Sequence, residues 1–200
     1  MVSKSFLEKK FNQYHRFEFI ENDPISVPHR FSKKEDIEIA AFFSSVLAWG
    51  SRKVTIRNAL KLMNMMDDSP YDFILHHTSS GLKPFKKFVH RTFNGVDVVF
   101  FIQSLQNIYM HQGGMEKIFT DTFRKADNAA IPISSFRKHF FSLPHQKRSE
   151  KHLPDPLTGS AAKRMNMFLR WMIRKDDAGI DFGIWKKITP SQLVCPLDVH

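Results

Sequence analysis

Apolar residues recur every three or four positions along nearly the whole chain, and that spacing restricts the fold to packed helices. After Ser32 the set Ile37, Ile39, Ala40, Phe43, Val46 and Leu47 follows it, with Ser32 and Glu35 of SKKE spaced as a capping box and Gly50 placed to end the helix. A second helix is expected after Ser51, with Val54, Leu60 and Met63 on a broad buried face that runs to Met66. SPYD (69–72) puts a serine, a proline and an acid where a helix start uses them, so a short helix to about His76 follows. The run VDVVFFIQSLQNIYMHQ (96–112) opens with β-branched residues. Its length and the positions of Phe101, Leu105, Ile108 and Tyr109 nevertheless decide for helix, closed by Gly113 and Gly114. Two more amphipathic stretches, about 115–126 and 131–142, carry Phe119, Phe123, Phe136, Phe140 and Phe141. Phenylalanine on these buried stripes is core packing rather than a platform for stacking bases.

SLPHQKRSEKHLPDP (142–156) breaks the periodicity with prolines and charge, and reads as a loop or lid. Beyond it Gly159 and Ser160 introduce a further helix, with Ala162, Met165, Phe168, Leu169 and Met172 on one side and Lys163, Arg164, Arg170 and Arg174 largely off it. The expected organisation is a single all-α domain over 1–200: a helical lobe at about 31–142, a basic loop at 143–158, and a hairpin-helix with a terminal segment at 159–200.

At 42% hydrophobic, 200 residues are enough for one well-buried domain. No stretch approaches the roughly 20 apolar residues of a membrane helix, and MVSKSFLEKKFNQYHRF lacks the apolar core of a signal peptide, so a cytoplasmic protein is expected. One cysteine, Cys195, excludes an internal disulfide, a four-cysteine zinc site and a four-cysteine iron–sulfur cluster. His139, His145 and His152 match no zinc spacing and read as solvated loop histidines, so no metal and no cofactor is assigned. The formal charge is +10, and 137–175 holds ten Lys/Arg against Glu150 and Asp155, a local net of +8. A polyanion, most simply nucleic acid, suits such a surface; a solvated basic face is the plainer alternative.

Three stretches could hold chemistry: AWGSR (48–52), TGSAAKRMNMFLRWMIR (158–174) and PLDVH (196–200). Singly, a Trp-Gly turn is packing, a helix lysine is a solvated charge and a terminal Asp-Val-His is a tail. Together they resemble the helix-hairpin-helix DNA glycosylase superfamily, most closely its archaeal 8-oxoguanine glycosylase branch. The whole chain also resembles a family of uncharacterised bacterial proteins that share DPISVPHRF, LAWGSR, SAAKRMNMFLRWMIR and PLDVH.

The glycosylase resemblance implies a two-lobed helical bundle that binds duplex DNA as a monomer and excises a damaged base. In it the turn containing Trp49, Ser51 and Arg52 would fill the gap left by an extruded base. The hairpin with Gly159 and Ser160 would hold a phosphate, with Arg164 nearby. Asp198 would be the stabilising carboxylate and Lys163 the amine nucleophile. Only Gly159 stands where that hairpin usually has two glycines, and Lys163 lies four residues beyond it. The superfamily's helix after the aspartate has no counterpart before His200, so a bundle without that last helix is expected. Two other functions fit the same residues: a non-catalytic helix-hairpin-helix nucleic-acid-binding module, and a helical protein-interaction domain.

Overall fold

A computed structural model describes residues 3–196, and it is mostly helical. In chain order the α-helices are α1 (Lys4–Tyr14), α2 (Glu18–Glu21), α3 (Lys34–Leu47), α4 (Arg52–Asn64), α5 (Pro70–His76), α6 (Gly95–His111), α7 (Met115–Phe123), α8 (Ala130–Phe140) and α9 (Lys163–Ile173). Between α5 and α6 a small antiparallel hairpin, β1 (Val89–His90) and β2 (Phe93–Asn94), pairs His90 with Phe93. Among the described residues no helix is long and apolar enough to cross a membrane.

Helix α3 lies at the centre. Every residue from Ile37 to Leu47 is buried, and Phe42 meets the rings of Phe43, Phe101, Phe136, Phe140 and Phe168. One continuous apolar cluster draws on α2 through α9 and on Trp185 and Ile188 beyond them. Aromatic pairs of this kind contribute about 0.5–1.5 kcal/mol each beyond the area they bury. The core reading therefore holds for most phenylalanines, whereas Phe6, Phe11 and Phe17 on the N-terminal segment stay exposed.

Helix starts follow a different logic from the one SKKE suggests. Lys33 precedes α3 without a side-chain cap, and Asp36 instead accepts the Tyr71 N–H at 2.8 Å, which pins the start of α5 to α3. The capping box forms at α6. Asn94 accepts from the Val96 N–H at 3.1 Å, and Asp97 accepts from the Asn94 N–H at 2.9 Å. That box makes the β-branched VDV part of a helical first turn.

The stretch 142–156 is not a loose lid. It coils as 3₁₀ turns at Lys147–His152 and Pro156–Thr158, and Ser149, His152 and Leu153 are buried. Arg137 ties it down through Glu150 and, at 2.9 Å, the Leu153 carbonyl.

Candidate functional site

At the C-terminal end of α3 the chain turns sharply so that α4 can pack back on it. Gly50 has φ +102, and a Cβ there would meet Arg91 Nη1 at 2.3 Å, so this turn needs glycine both for its backbone and for the guanidinium beside it. Arg91, at the tip of the β1–β2 hairpin, lies 4.5 Å over the Trp49 ring. Trp49 remains 48% exposed, whereas Trp171 and Trp185 are fully buried. A large half-exposed indole under a guanidinium is a poor core contact and a ready stacking surface.

The segment before α9 faces that turn. Gly159 (φ +89) and Ala162 (φ +42) are both left-handed. Ser160 Oγ accepts the Ala162 N–H at 3.1 Å, while Asn166 Nδ2 donates to the Ala161 and Ala162 carbonyls at 3.2 Å and holds the unusual alanine in place. No side chain caps α9, so its first N–H groups and the positive end of its dipole stay available to an anion.

Trp49 and the Ser160–Arg164 segment line one crevice of about 500 Å³, with Lys151, His152 and Thr92 completing the wall. No acid lines it. A second crevice of about 500 Å³, beneath α6 and α7, is lined by four carboxylates and four cations. The first is therefore the one suited to an anion. In the second, buried Glu38 accepts from Trp185 Nε1 at 2.6 Å and Tyr109 Oη at 2.7 Å, with Lys34 Nζ 3.8 Å away. Burial pushes the Glu38 carboxyl above its usual value despite those two donors.

The wall of the first crevice rests on a buried polar cluster. Arg164 donates to the Val46 carbonyl and, at 3.3 Å, to the His152 carbonyl, clamping α9 to the end of α3. Burial pushes its guanidinium below the usual arginine value. His152 is 4% exposed and lies edge-on to Phe93. Its Nε2 sits 3.3 Å from Asp97 Oδ2 without the alignment of a full hydrogen bond. Burial alone would raise Asp97; the His152 contact and the hydrogen bonds from the Asn94 N–H and Ser149 outweigh it and bring the carboxyl to about 2. Arg148 Nη1 joins the same carboxylate at 2.8 Å.

The residues expected from sequence distribute unevenly around this crevice. Trp49, Ser160, Lys163 and Arg164 line it, but the Arg164 guanidinium is spent on two carbonyls. Ser51 precedes α4 as an exposed residue, and Arg52 turns away to Asp23 at 4.0 Å and to the Phe19 ring. Gly159 shapes the approach without lining the crevice. Asp198 lies outside the described residues. His152 is a buried member of the wall rather than a solvated loop histidine, because its ring packs on Phe93 and Phe101 beside Asp97. Among the described residues no group of three His, Cys, Asp or Glu side chains is placed to hold a metal.

Charge is redistributed as well. Of the ten cations between Arg137 and Lys175, Arg137, Lys147, Arg148, Arg170 and Arg174 pair with acids, and the half-buried Arg164 is bonded to carbonyls. The +8 of that stretch thus overstates the charge it shows to a partner. Arg91 and Lys151 were not singled out by sequence, and His152 was read only as a solvated loop histidine. Arg91 left no signal, since two-residue strands are too short to show alternation; NGVD, with an acid three residues after an asparagine, could have revealed the box that anchors this wall.

No curated protein and no solved structure matches the chain. A family profile does, over residues 23–200, which takes in the Trp49 turn, the β1–β2 hairpin and the start of α9. The family is described as "Protein of unknown function (DUF2400)", and the chain belongs to it.

Proposed function

We propose that this protein binds nucleic acid, duplex DNA foremost, in the crevice between the Trp49 turn and the start of α9, and that it is a base-excision enzyme of the helix-hairpin-helix glycosylase type with a two-lobed bundle. What carries the reading is the lining of that crevice: an exposed indole, exposed lysines and an uncapped helix start, with no carboxylate among the described residues that line it. Excision requires the target nucleotide to leave the stack, and the vacated gap needs an apolar or planar filler. Trp49 with Arg91 on its face supplies one. A phosphate at the start of α9 gains from the helix dipole and from Lys163 and Lys151 nearby. The glycosylase resemblance gives Asp198 the role of stabilising positive charge on the sugar, and Lys163 that of a neutral amine attacking the anomeric carbon as its bond to the base breaks and the base departs, the sugar ring then opening to the Schiff base.

Titration of a labelled duplex across a range of salt tests the reading. Binding should weaken linearly in log salt, with a slope of at least about 3 for a handful of phosphate contacts. Base release from a duplex carrying 8-oxoguanine should follow and be lost in Asp198→Asn; borohydride should trap the parent but not Lys163→Gln. Binding without release or trapping would leave the non-catalytic module. No duplex binding at low salt would end the reading and favour the protein-interaction domain.

A further inference from the structure

A second positive surface lies outside the basic stretch 137–175. From Arg52 to Arg91 there are eight Lys/Arg against Asp67, Asp68 and Asp72. Helix α4 buries Thr55, Ala59, Leu62 and Met63, and it holds no acid. Lys53, Arg57 and Lys61 stand at i, i+4 and i+8, all exposed, so they form one stripe about 12 Å long at 1.5 Å per residue. None of the three pairs with an acid among the described residues; Lys61 Nζ lies 6.0 Å over the Phe88 ring. Asp67 and Asp68, exposed beyond the helix end, bound the stripe at the end far from Trp49.

This stripe is continuous with the crevice. Helix α4 begins two residues after Gly50. Asn58, on the turn between Arg57 and Lys61, bonds His90 Nδ1 at 2.8 Å and fixes the β1–β2 hairpin alongside α4. The tip of that hairpin carries Arg91 onto Trp49. The exposed cations therefore run from Lys61 through Arg57 and Lys53 toward the Trp49–Arg91 pair.

We infer that the Lys53–Arg57–Lys61 face of α4 carries the sugar–phosphate backbone of the duplex arm leading away from the crevice. The inference rests on the reading of the crevice as a nucleic-acid site. Each strand of a duplex presents one charge per about 3.4 Å of axis, so three or four phosphates of one backbone pass a stripe of about 12 Å, enough to engage three cations. Flexible lysine and arginine heads suit this role, because backbone contacts position the duplex without reading bases. These residues set affinity and orientation rather than the choice of base.

The test is a triple variant, Lys53→Gln, Arg57→Gln and Lys61→Gln, in the full chain, with duplex binding measured across salt. Each lost phosphate contact lowers the log–log slope by about 0.9, so the slope should become shallower by about 2–3 with the thermal midpoint unchanged. A control carrying Lys9→Gln, Lys138→Gln and Lys175→Gln removes the same charge from α1, α8 and the segment after α9, and should keep the parent slope. The inference is overturned if the α4 variant keeps the parent slope while the parent binds DNA, in which case the crevice reading survives alone. Equal effects of the two triple variants would overturn it too, since net charge and not this face would then be responsible. If the parent binds no duplex at low salt, the crevice reading and this inference fall together.

Discussion

Replacing Glu38 by alanine is expected to lower the free energy of unfolding by about 3–5 kcal/mol, the range seen when one member of a buried charged cluster is removed. Glu38 is 2% exposed in the middle of α3, where a solitary charge would not survive. It is tolerated because Trp185 Nε1 and Tyr109 Oη both donate to it and Lys34 Nζ stands 3.8 Å away. Truncation strands those two donors in the core. It also unlinks the 185 segment and α6 from the central helix. Glu38→Gln keeps the volume and one acceptor, so a smaller loss is expected. The difference between that variant and the parent should depend on pH with a defined sign. Burial raises the Glu38 carboxyl above 4.5, so its contribution is complete below the unfolded value and fades as pH rises through the folded one. The stability gap between parent and Glu38→Gln should therefore narrow as pH climbs from about 4.5. Urea unfolding followed by far-UV circular dichroism measures both effects; a loss under about 1 kcal/mol for Glu38→Ala would show that the cluster is peripheral to folding.

Arg164→Ala is the second large effect, about 2–4 kcal/mol, because a half-buried guanidinium bonded to two carbonyls is replaced by a void with both acceptors unsatisfied. The two candidate roles of Arg164 separate cleanly in this variant. As the clamp between α9 and the end of α3, its loss lowers the unfolding midpoint and leaves the salt slope of DNA binding near that of the parent when measured well below that midpoint. As a phosphate contact, its loss would spare the midpoint and reduce the slope by about 0.9. Geometry favours the clamp. Calorimetry and salt titration on one preparation distinguish them.

These two residues also show why the chain was only partly legible before its structure. The course of α3 to α9 could be read because each helix lays a 3.6-residue apolar stripe on a shared core, and such stripes survive in a linear sequence. Helix α1 could not: none of its residues is buried, so there is no stripe to find. Ends were harder than middles, since SKKE and NGVD both look like caps on paper, yet α3 starts after Lys33 with no side-chain cap while Asp97 serves Asn94. The Trp49 turn and the α9 start could be identified as separate motifs, and they line one wall. What could not be read was which cations reach solvent. Arg148 and Arg164 count as surface charge in a sequence, and both are committed to groups that only the fold brings near.

The most direct measurement of the central claim is tryptophan emission during titration with duplex DNA. The chain has 3 tryptophans. Trp171 and Trp185 are fully buried and Trp49 is 48% exposed, so a ligand in the crevice reaches only Trp49. Emission should be quenched along the same binding curve as anisotropy of the labelled duplex, and the quench should vanish in Trp49→Phe. Tight duplex binding with unchanged emission from the parent would place the DNA elsewhere on the molecule and contradict the role given to this crevice.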